Sequence, residues 1–297
     1  MAEEFDEQLE VFFGEATSSQ ARVYARLLRG NWPSQAKLHG TISGPNCVYA
    51  QTLNATCRFV DRGRSDTVLA EAIVPDPCFW TPRLPFLYRV DLELRLGAEV
   101  LAETSRSFGI RPLGAKGKSL IMDSKRWVLR GAWRPMFSDQ QVDEWHESES
   151  TMMIDDASDA LVTEATKLGV LLACRAGGSA ADVLGALRWM SRYPSVGIAV
   201  LTGVTASELK DVPKVGNLLR ANFVTAEQPL TAYPWTDVVI GEVDGPADFS
   251  LKMRSCAVPV IAARLQSNIS SAADVRGECD RLQSDLAPHG DFAGYVV

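Results

Sequence analysis

The 297-residue chain has no run of Lys and Arg longer than two, and no apolar stretch approaching the ~18 residues a membrane-spanning helix needs. Its 37 acidic and 30 basic residues give a formal charge of −7. A phosphate-backbone binder concentrates cations on one face, so no nucleic-acid partner is expected. The N-terminus, MAEEFDEQLEVFF, lacks a basic segment followed by an apolar one. No signal peptide and no membrane partner are therefore expected, and the chain reads as cytoplasmic. Six cysteines (Cys47, Cys57, Cys78, Cys174, Cys256 and Cys279) are scattered without a Cys-x-x-Cys pair, and only three histidines accompany them. That spacing excludes a zinc-finger type of site and predicts free thiols. Ala176-Gly177-Gly178 lacks the later glycines of a dinucleotide fingerprint and the Lys of a phosphate loop, so it reads as a strand-to-helix turn. A Gly-x-Ser-x-Gly elbow is missing too, and His39, His146 and His289 lie in unrelated contexts, which leaves a Ser/His/Asp mechanism without support. No cofactor and no metal are expected. Segment 139–149 is strongly polar and reads as a solvated helix, the alternative being a metal site on His146 with Glu144 or Glu147.

What is present is ordinary globular composition, 46% hydrophobic, with enough apolar mass for two packed cores. Before residue 114, short alternating or β-branched runs at 37–42, 55–60, 67–74, 88–94 and 100–108 are separated by breaks rich in Gly, Pro, Asn and Asp. This spacing predicts an immunoglobulin-like β-sandwich over 36–113. Residues 1–35 are read as an N-terminal extension, in which 20–28 suits either a strand or a short helix. Beyond a linker at 114–117, eight short apolar runs (127–133, 151–154, 170–174, 196–201, 222–226, 237–241, 259–263 and 292–297) alternate with amphipathic segments at 158–168, 179–193, 212–220, 247–254 and 271–286. Eight buried strands alternating with helices predict a minimal (β/α)₈ TIM barrel over 114–297. An open doubly wound sheet remains the alternative. The connection 228–236 is too short and Pro-rich for a full helix.

Three motifs stand in order along the chain: Trp80-Thr81-Pro82-Arg83-Leu84-Pro85-Phe86-Leu87-Tyr88, then Phe108-Gly109-Ile110-Arg111, then Leu129-Arg130-Gly131. Together they resemble glycoside hydrolase family 2, the family of β-galactosidases, β-glucuronidases and β-mannosidases. In that family an immunoglobulin-like domain ends on such motifs and a barrel opens with Leu-Arg-Gly. Weaker likeness continues through Asp159-Ala160-Leu161, Leu168-Gly169-Val170-Leu171, Tyr193-Pro194-Ser195-Val196 and Phe292-Ala293-Gly294-Tyr295. The family's jelly-roll domain has no counterpart before the sandwich, so the resemblance is to a truncated member, and this shortness is expected to count against hydrolysis.

The resemblance implies two carboxylates at C-terminal ends of barrel strands, one an acid/base and one a nucleophile, held ~5–5.5 Å apart for retention. Carried forward from Pro194-Ser195-Val196, the family's Asn-Glu pair falls on Gly203 and Val204, which cannot transfer a proton. The nucleophile position after Pro259-Val260-Ile261-Ala262-Ala263 falls on Arg264, which cannot form a glycosyl-enzyme ester. No Asp or Glu lies between Arg254 and Asp274 to replace it. Charged residues nonetheless collect where the mouth is predicted: Arg134, Asp155, Asp156, Arg175, Glu227, Glu242, Asp244 and Arg264. They suit a network of ion pairs, or a site for a small polyhydroxylated ligand built from Arg134, Asp155, Arg175, Trp235 and Arg264, with Trp133 nearby. Asp156 and Asp159 also suit capping of the second barrel helix, while Leu184, Leu187 and 188–190 form a predicted apolar stripe. The expectation is a pseudoenzyme, a non-catalytic carbohydrate-related binding or scaffold protein, for which a protein partner or self-association stays open. The alternative is an active glycosidase with relocated carboxylates, Glu227 with Glu242 or Asp244.

Overall fold

The computed structural model describes residues 2–28, 32–64, 67–134, 142–202, 214–229, 232–245, 249, 256–265, 269 and 271–297. The chain divides into two compact units. The first comprises Met1–Arg111 with Ser191–Pro194 and Val215–Asn217; the second comprises Pro112–Met190, Ser195–Lys214 and Leu218–Val297.

The first unit holds helix α1 (Ala2–Gln8) and strands β1 (Leu9–Ala16), β2 (Gln20–Leu27), β3 (Lys37–Asn46), β4 (Ala55–Arg64), β5 (Val68–Pro75), β6 (Leu87–Leu96) and β7 (Glu99–Phe108). They pair in the order β1-β2-β5-β4-β3-β6-β7. Strand β4 serves both halves: 55–59 pair with β3, and from Val60 onward it pairs with β5, with a register shift between Asp61 and Arg64. Strands β1, β2, β5 and β4 thus form one layer and β3, β6 and β7 the other, the immunoglobulin-like arrangement expected. Period-two alternation supplies the core: Ala21, Val23, Ala25 and Leu27 on β2, and Tyr88, Val90, Leu92 and Leu94 on β6, are all buried. Each large aliphatic side chain so removed from water contributes about 1.5–3 kcal/mol.

Residues 1–35, read as an extension, instead supply α1, β1 and β2 to this unit. The run QARVYARL explains why 20–27 is a strand: only a period of two places its Ala, Val, Ala and Leu on one side. Phe5 and Leu9 bury into the same core.

The family-like motifs have local physical jobs. Trp80 is fully buried, its backbone N–H donates to Ile110 O at 2.9 Å, and Thr81 Oγ1 accepts from the Leu84 N–H at 3.1 Å in the turn that follows. Tyr88, at the start of β6, accepts the Cys78 N–H on its phenol oxygen at 2.8 Å, a tyrosine corner between β5 and β6. Burial pushes this phenol's pKa up to about 12. Gly109 has no room for a side chain, since a Cβ there would come 2.9 Å from Trp80 Cβ and 2.7 Å from Pro194 Cβ. The Arg111 guanidinium is buried and donates to the carbonyls of Pro194 and Asn217, the latter at 3.0 Å. Desolvation pushes its pKa down to about 9.

In the second unit the expected linker at 114–117 is ordered as part of a small antiparallel sheet, β8 (Leu113–Lys116), β9 (Ser119–Met122) and β10 (Lys125–Trp127). Its composition misled because two-residue turns need left-handed residues: Gly117 has φ +56°, and Asp123 and Ser124 have φ +49° and +62°.

Eight parallel strands then close a barrel: β11 (Leu129–Arg134), β12 (Thr151–Ile154), β13 (Leu172–Gly177), β14 (Val196–Thr202), β15 (Leu219–Val224), β16 (Val238–Glu242), β17 (Val260–Ala263) and β18 (Gly294–Val296). Strand β18 pairs with both β17 and β11, which rules out the open sheet. Outside the strands lie α2 (Val142–Glu147), α3 (Asp159–Leu168), α4 (Ala180–Met190) and α5 (Ala272–Leu286). Helix α5 buries Ala272, Val275, Cys279, Leu282 and Leu286 at three- and four-residue spacing.

Some local expectations change. The cap of α3 is Ser158, whose hydroxyl accepts the Leu161 N–H at 3.2 Å, rather than Asp156 or Asp159. Asp159 instead accepts the Trp189 indole N–H at 2.8 Å, so Trp189 leaves the apolar stripe, which is carried by Val183, Leu187 and Met190. The described part of segment 139–149 is short α2, which buries Val142 and Trp145. In 212–220 no helix forms among the described residues: Gly216 takes φ +54° and Leu219 already begins β15. Segment 247–254 lies outside the described residues except Phe249.

Candidate functional site

A barrel of this kind presents its functional residues at the C-terminal ends of its strands. Strand alternation decides which side chains reach the interior. On β11, Arg130 donates outward to Asp280 Oδ1 and Gln283 Oε1 on α5, each at 2.8 Å. Leu129, Gly131 and Trp133 therefore face in. Gly131 is required there, because a Cβ would come 2.4 Å from Thr151 O on β12. The Leu-Arg-Gly motif thus reads residue by residue as core, outer clasp and close approach.

Trp133 meets Phe223 of β15 edge to face, with ring centroids 5.4 Å apart and planes at 69°. These strands stand opposite each other in the barrel order, with three strands between them either way round, so the contact spans the interior. The Trp133 indole N–H donates to Asp155 Oδ1 at 3.0 Å, just beyond β12. Arg175 of β13 pairs with the same oxygen at 3.2 Å and lays its guanidinium over the Trp133 ring, 4.6 Å from the centroid. Asp155 and Arg175 keep 30% and 38% of their side-chain surface exposed, so the pair still faces solvent. Of the expected residues, the structure brings Asp155, Arg175 and Trp133 together.

The others fall elsewhere. Arg264 follows inward-facing Ala263, and its side chain turns outward to pair with Asp285 on α5 at 2.8 Å. Trp235 is buried in the β15–β16 connection, stacked on Tyr233 with centroids 5.5 Å apart. Its neighbour Thr236 donates to Asn222 Oδ1 at 3.3 Å, and Asp237 pairs with Arg220 near the start of β15 at 3.0 Å. Asn222 and Arg220 alternate with inward Phe223, so this connection covers the outer flank where a helix would lie, away from the mouth. Glu242 ends β16 opposite Ala263 and accepts the Ala226 N–H at 3.3 Å, while Glu227, Asp244 and Asp156 are exposed. Gly203 and Val204 lie outside the described residues, as does the side chain of Arg134. Phe223 was missed because it sat in an apolar run; the alternation of Leu219, Ala221 and Phe223 is the signal that places it inward.

Chemically, this mouth offers a fixed guanidinium and carboxylate above an aromatic floor. Such groups can donate to and accept from hydroxyls. Among the described residues no group of three His, Cys, Asp or Glu is arranged to hold a metal ion, and no helix is long and apolar enough to cross a membrane.

A sandwich followed by a closed parallel barrel is the architecture that the motifs implied. Residues 14–111 match the family described as "Glycosyl hydrolases family 2". The resemblance read from the sequence therefore holds for the sandwich by sequence and for the rest of the chain by fold. A glycosyl hydrolase family 2 member from Bacteroides cellulosilyticus DSM 14838 is 13% identical with a TM-score of 0.69, the match covering 98% of this chain and 45% of that one. A β-glucuronidase from Bacteroides uniformis is 16% identical with a TM-score of 0.60, covering 97% and 45%. A putative β-galactosidase from Bacteroides fragilis is 13% identical with a TM-score of 0.59, covering 98% and 54%. The chain thus spans about half the length of the solved structures it matches. No curated protein matches it.

Proposed function

We propose that the chain is a non-hydrolysing relative of glycoside hydrolase family 2, a carbohydrate-related binding or scaffold protein that offers the Asp155–Arg175 pair to a small polyhydroxylated ligand. One observation carries this reading: Arg264, where the resemblance implies the nucleophile, is turned to Asp285 on α5. Double displacement needs a carboxylate there to attack the sugar. Val204 at the acid/base position adds to the same argument from sequence.

The second reading, hydrolysis by relocated carboxylates, is favoured only by Glu242, which shares the inward row with Ala263. Aryl β-glucuronide, β-galactoside and β-mannoside substrates separate the two. The proposal expects no release of the aryl group above the buffer rate from the purified chain. Turnover that disappears in Glu242→Gln or Glu227→Gln overturns it.

A further inference from the structure

We infer that the outer face of the sandwich layer β3-β6-β7, with the first half of β4, is a binding groove for a neutral, hydroxyl-rich oligosaccharide. The groove lies wholly within the first unit, is open to solvent, and takes in about 920 Å³. It goes beyond the barrel reading, because it uses none of the mouth residues and holds whether or not the barrel turns over a substrate.

The register builds this face in rows. Arg58, Thr41, Asp91 and Ser105 lie side by side across β4, β3, β6 and β7. His39, Glu93 and Glu103 form the next row. Along β6 the sequence Arg89-Val90-Asp91-Leu92-Glu93-Leu94-Arg95 sends every apolar residue to the core and every charged one to the groove. Arg89 donates to Asp91 Oδ1 at 2.9 Å, and Arg95 pairs with Glu93. Burial raises the Asp91 carboxyl, but hydrogen bonds from Ser105 and Arg89 and the Arg89 charge outweigh it, leaving its pKa below the ordinary value.

Two features select the ligand class. The lining holds three arginines and three carboxylates, so its formal charge is zero; a polyanion or polycation would find as much repulsion as attraction. Phe59 is buried in the floor and the one exposed ring is the polar imidazole of His39, so no apolar wall recommends a hydrophobic ligand. What remains is a dense array of donors and acceptors, in which planar guanidinium and carboxylate groups can each engage two neighbouring hydroxyls. The volume is at the upper end of ~300–1,000 Å³ for ligand clefts, which suits a short chain of sugar rings rather than one.

Calorimetric titration of the full chain with cellopentaose, xylopentaose, mannopentaose and galactopentaose tests this, with a heparin pentasaccharide and pentalysine as charged probes. The expected result is exothermic binding of at least one neutral pentasaccharide, changed less than twofold between 50 and 500 mM NaCl. Arg58→Gln combined with Glu103→Gln, both exposed positions, should weaken it at least tenfold with the melting temperature unchanged. Arg175→Ala should leave it unchanged. Three outcomes overturn the inference: no binding of any neutral probe, tighter binding of either charged probe, or a loss caused by Arg175→Ala and not by the groove pair. The last would place binding at the barrel mouth and leave that proposal standing.

Discussion

Trp133 and Phe223 touch across the barrel interior, 5.4 Å between ring centroids, and the Trp133 indole N–H ties the same side chain to Asp155 at 3.0 Å. One residue therefore fills the interior and fixes the carboxylate that Arg175 pairs with. Trp133→Ala removes the ring contact, the hydrogen bond and the surface under Arg175 together, and should cost about 2–4 kcal/mol in urea unfolding. Trp133→Phe keeps one ring but loses the indole donor and part of the ring volume, so about 1–2 kcal/mol is expected. Equal losses in the two variants would show that the ring contact does not hold the mouth.

A smaller test concerns the tyrosine corner. Tyr88 is 3% exposed and its phenol oxygen is the acceptor for Cys78 N–H. Tyr88→Phe leaves that donor without its partner, and a loss of about 1–3 kcal/mol is expected. Ultraviolet titration of the wild-type chain should show one phenol ionising near pH 12, well above the free value of 10.0, and missing in the variant.

Glycines give an internal contrast. Gly131→Ala drives a Cβ to 2.4 Å from Thr151 O, backbone that cannot step aside, and should destabilise by about 1–3 kcal/mol. Gly185 in α4 and Gly277 in α5 have open space where a Cβ would stand. Alanine at either should raise stability by about 0.5–1 kcal/mol, because a helix-interior glycine carries only an entropic cost. Thermal melts of the three variants check both signs at once.

Acid sensitivity follows from depressed carboxylates in the first unit. Burial raises Asp6, but the Thr104 hydrogen bond and the charges of Arg106 and Arg192 outweigh it, so its pKa lies below 3.8. Glu71 behaves alike, its desolvation outweighed by hydrogen bonds from Arg22 and Arg62, below 4.5. A lowered folded value means that the contribution is present at neutral pH and is lost as pH falls below these values. Calorimetric melts should change little on this account from pH 7 to 5 and fall steeply below about pH 4. Asp6→Asn should make that acid limb shallower; an unchanged limb would assign it to other groups.

The eight barrel strands were legible because a strand buried on both faces leaves a short apolar run that needs no context. The sandwich strands were legible from alternation and turn residues. Residues 1–35 were not, because α1 is acidic and the run at 20–28 is too short to name its element by itself, until pairing with β5 settled it. Position after the predicted second and third barrel strands brought Asp155 and Arg175 near each other, but it could not place Trp235, whose position depends on the route of an irregular connection. Nor could it give the facing of Arg264, which depends on strand parity: a shift of one residue exchanges inside for outside.

That parity carries the last prediction. Arg264→Glu would set a carboxylate where the sequence resemblance implies the nucleophile, yet the position points away from the interior. Arg264 donates to Asp285 on α5 at 2.8 Å, and the inward neighbour, Ala263, pairs in register with Glu242. A glutamate at 264 would replace a partly exposed ion pair with two like charges facing each other. We expect a loss of about 1 kcal/mol, reduced by added salt, since both partners remain in contact with solvent. Aryl glycosides should still not turn over, because the new carboxylate would lie on the helix side of β17. Activity appearing in Arg264→Glu would mean that the strand end can rotate its side chain inward, and that the barrel is one substitution away from hydrolysis.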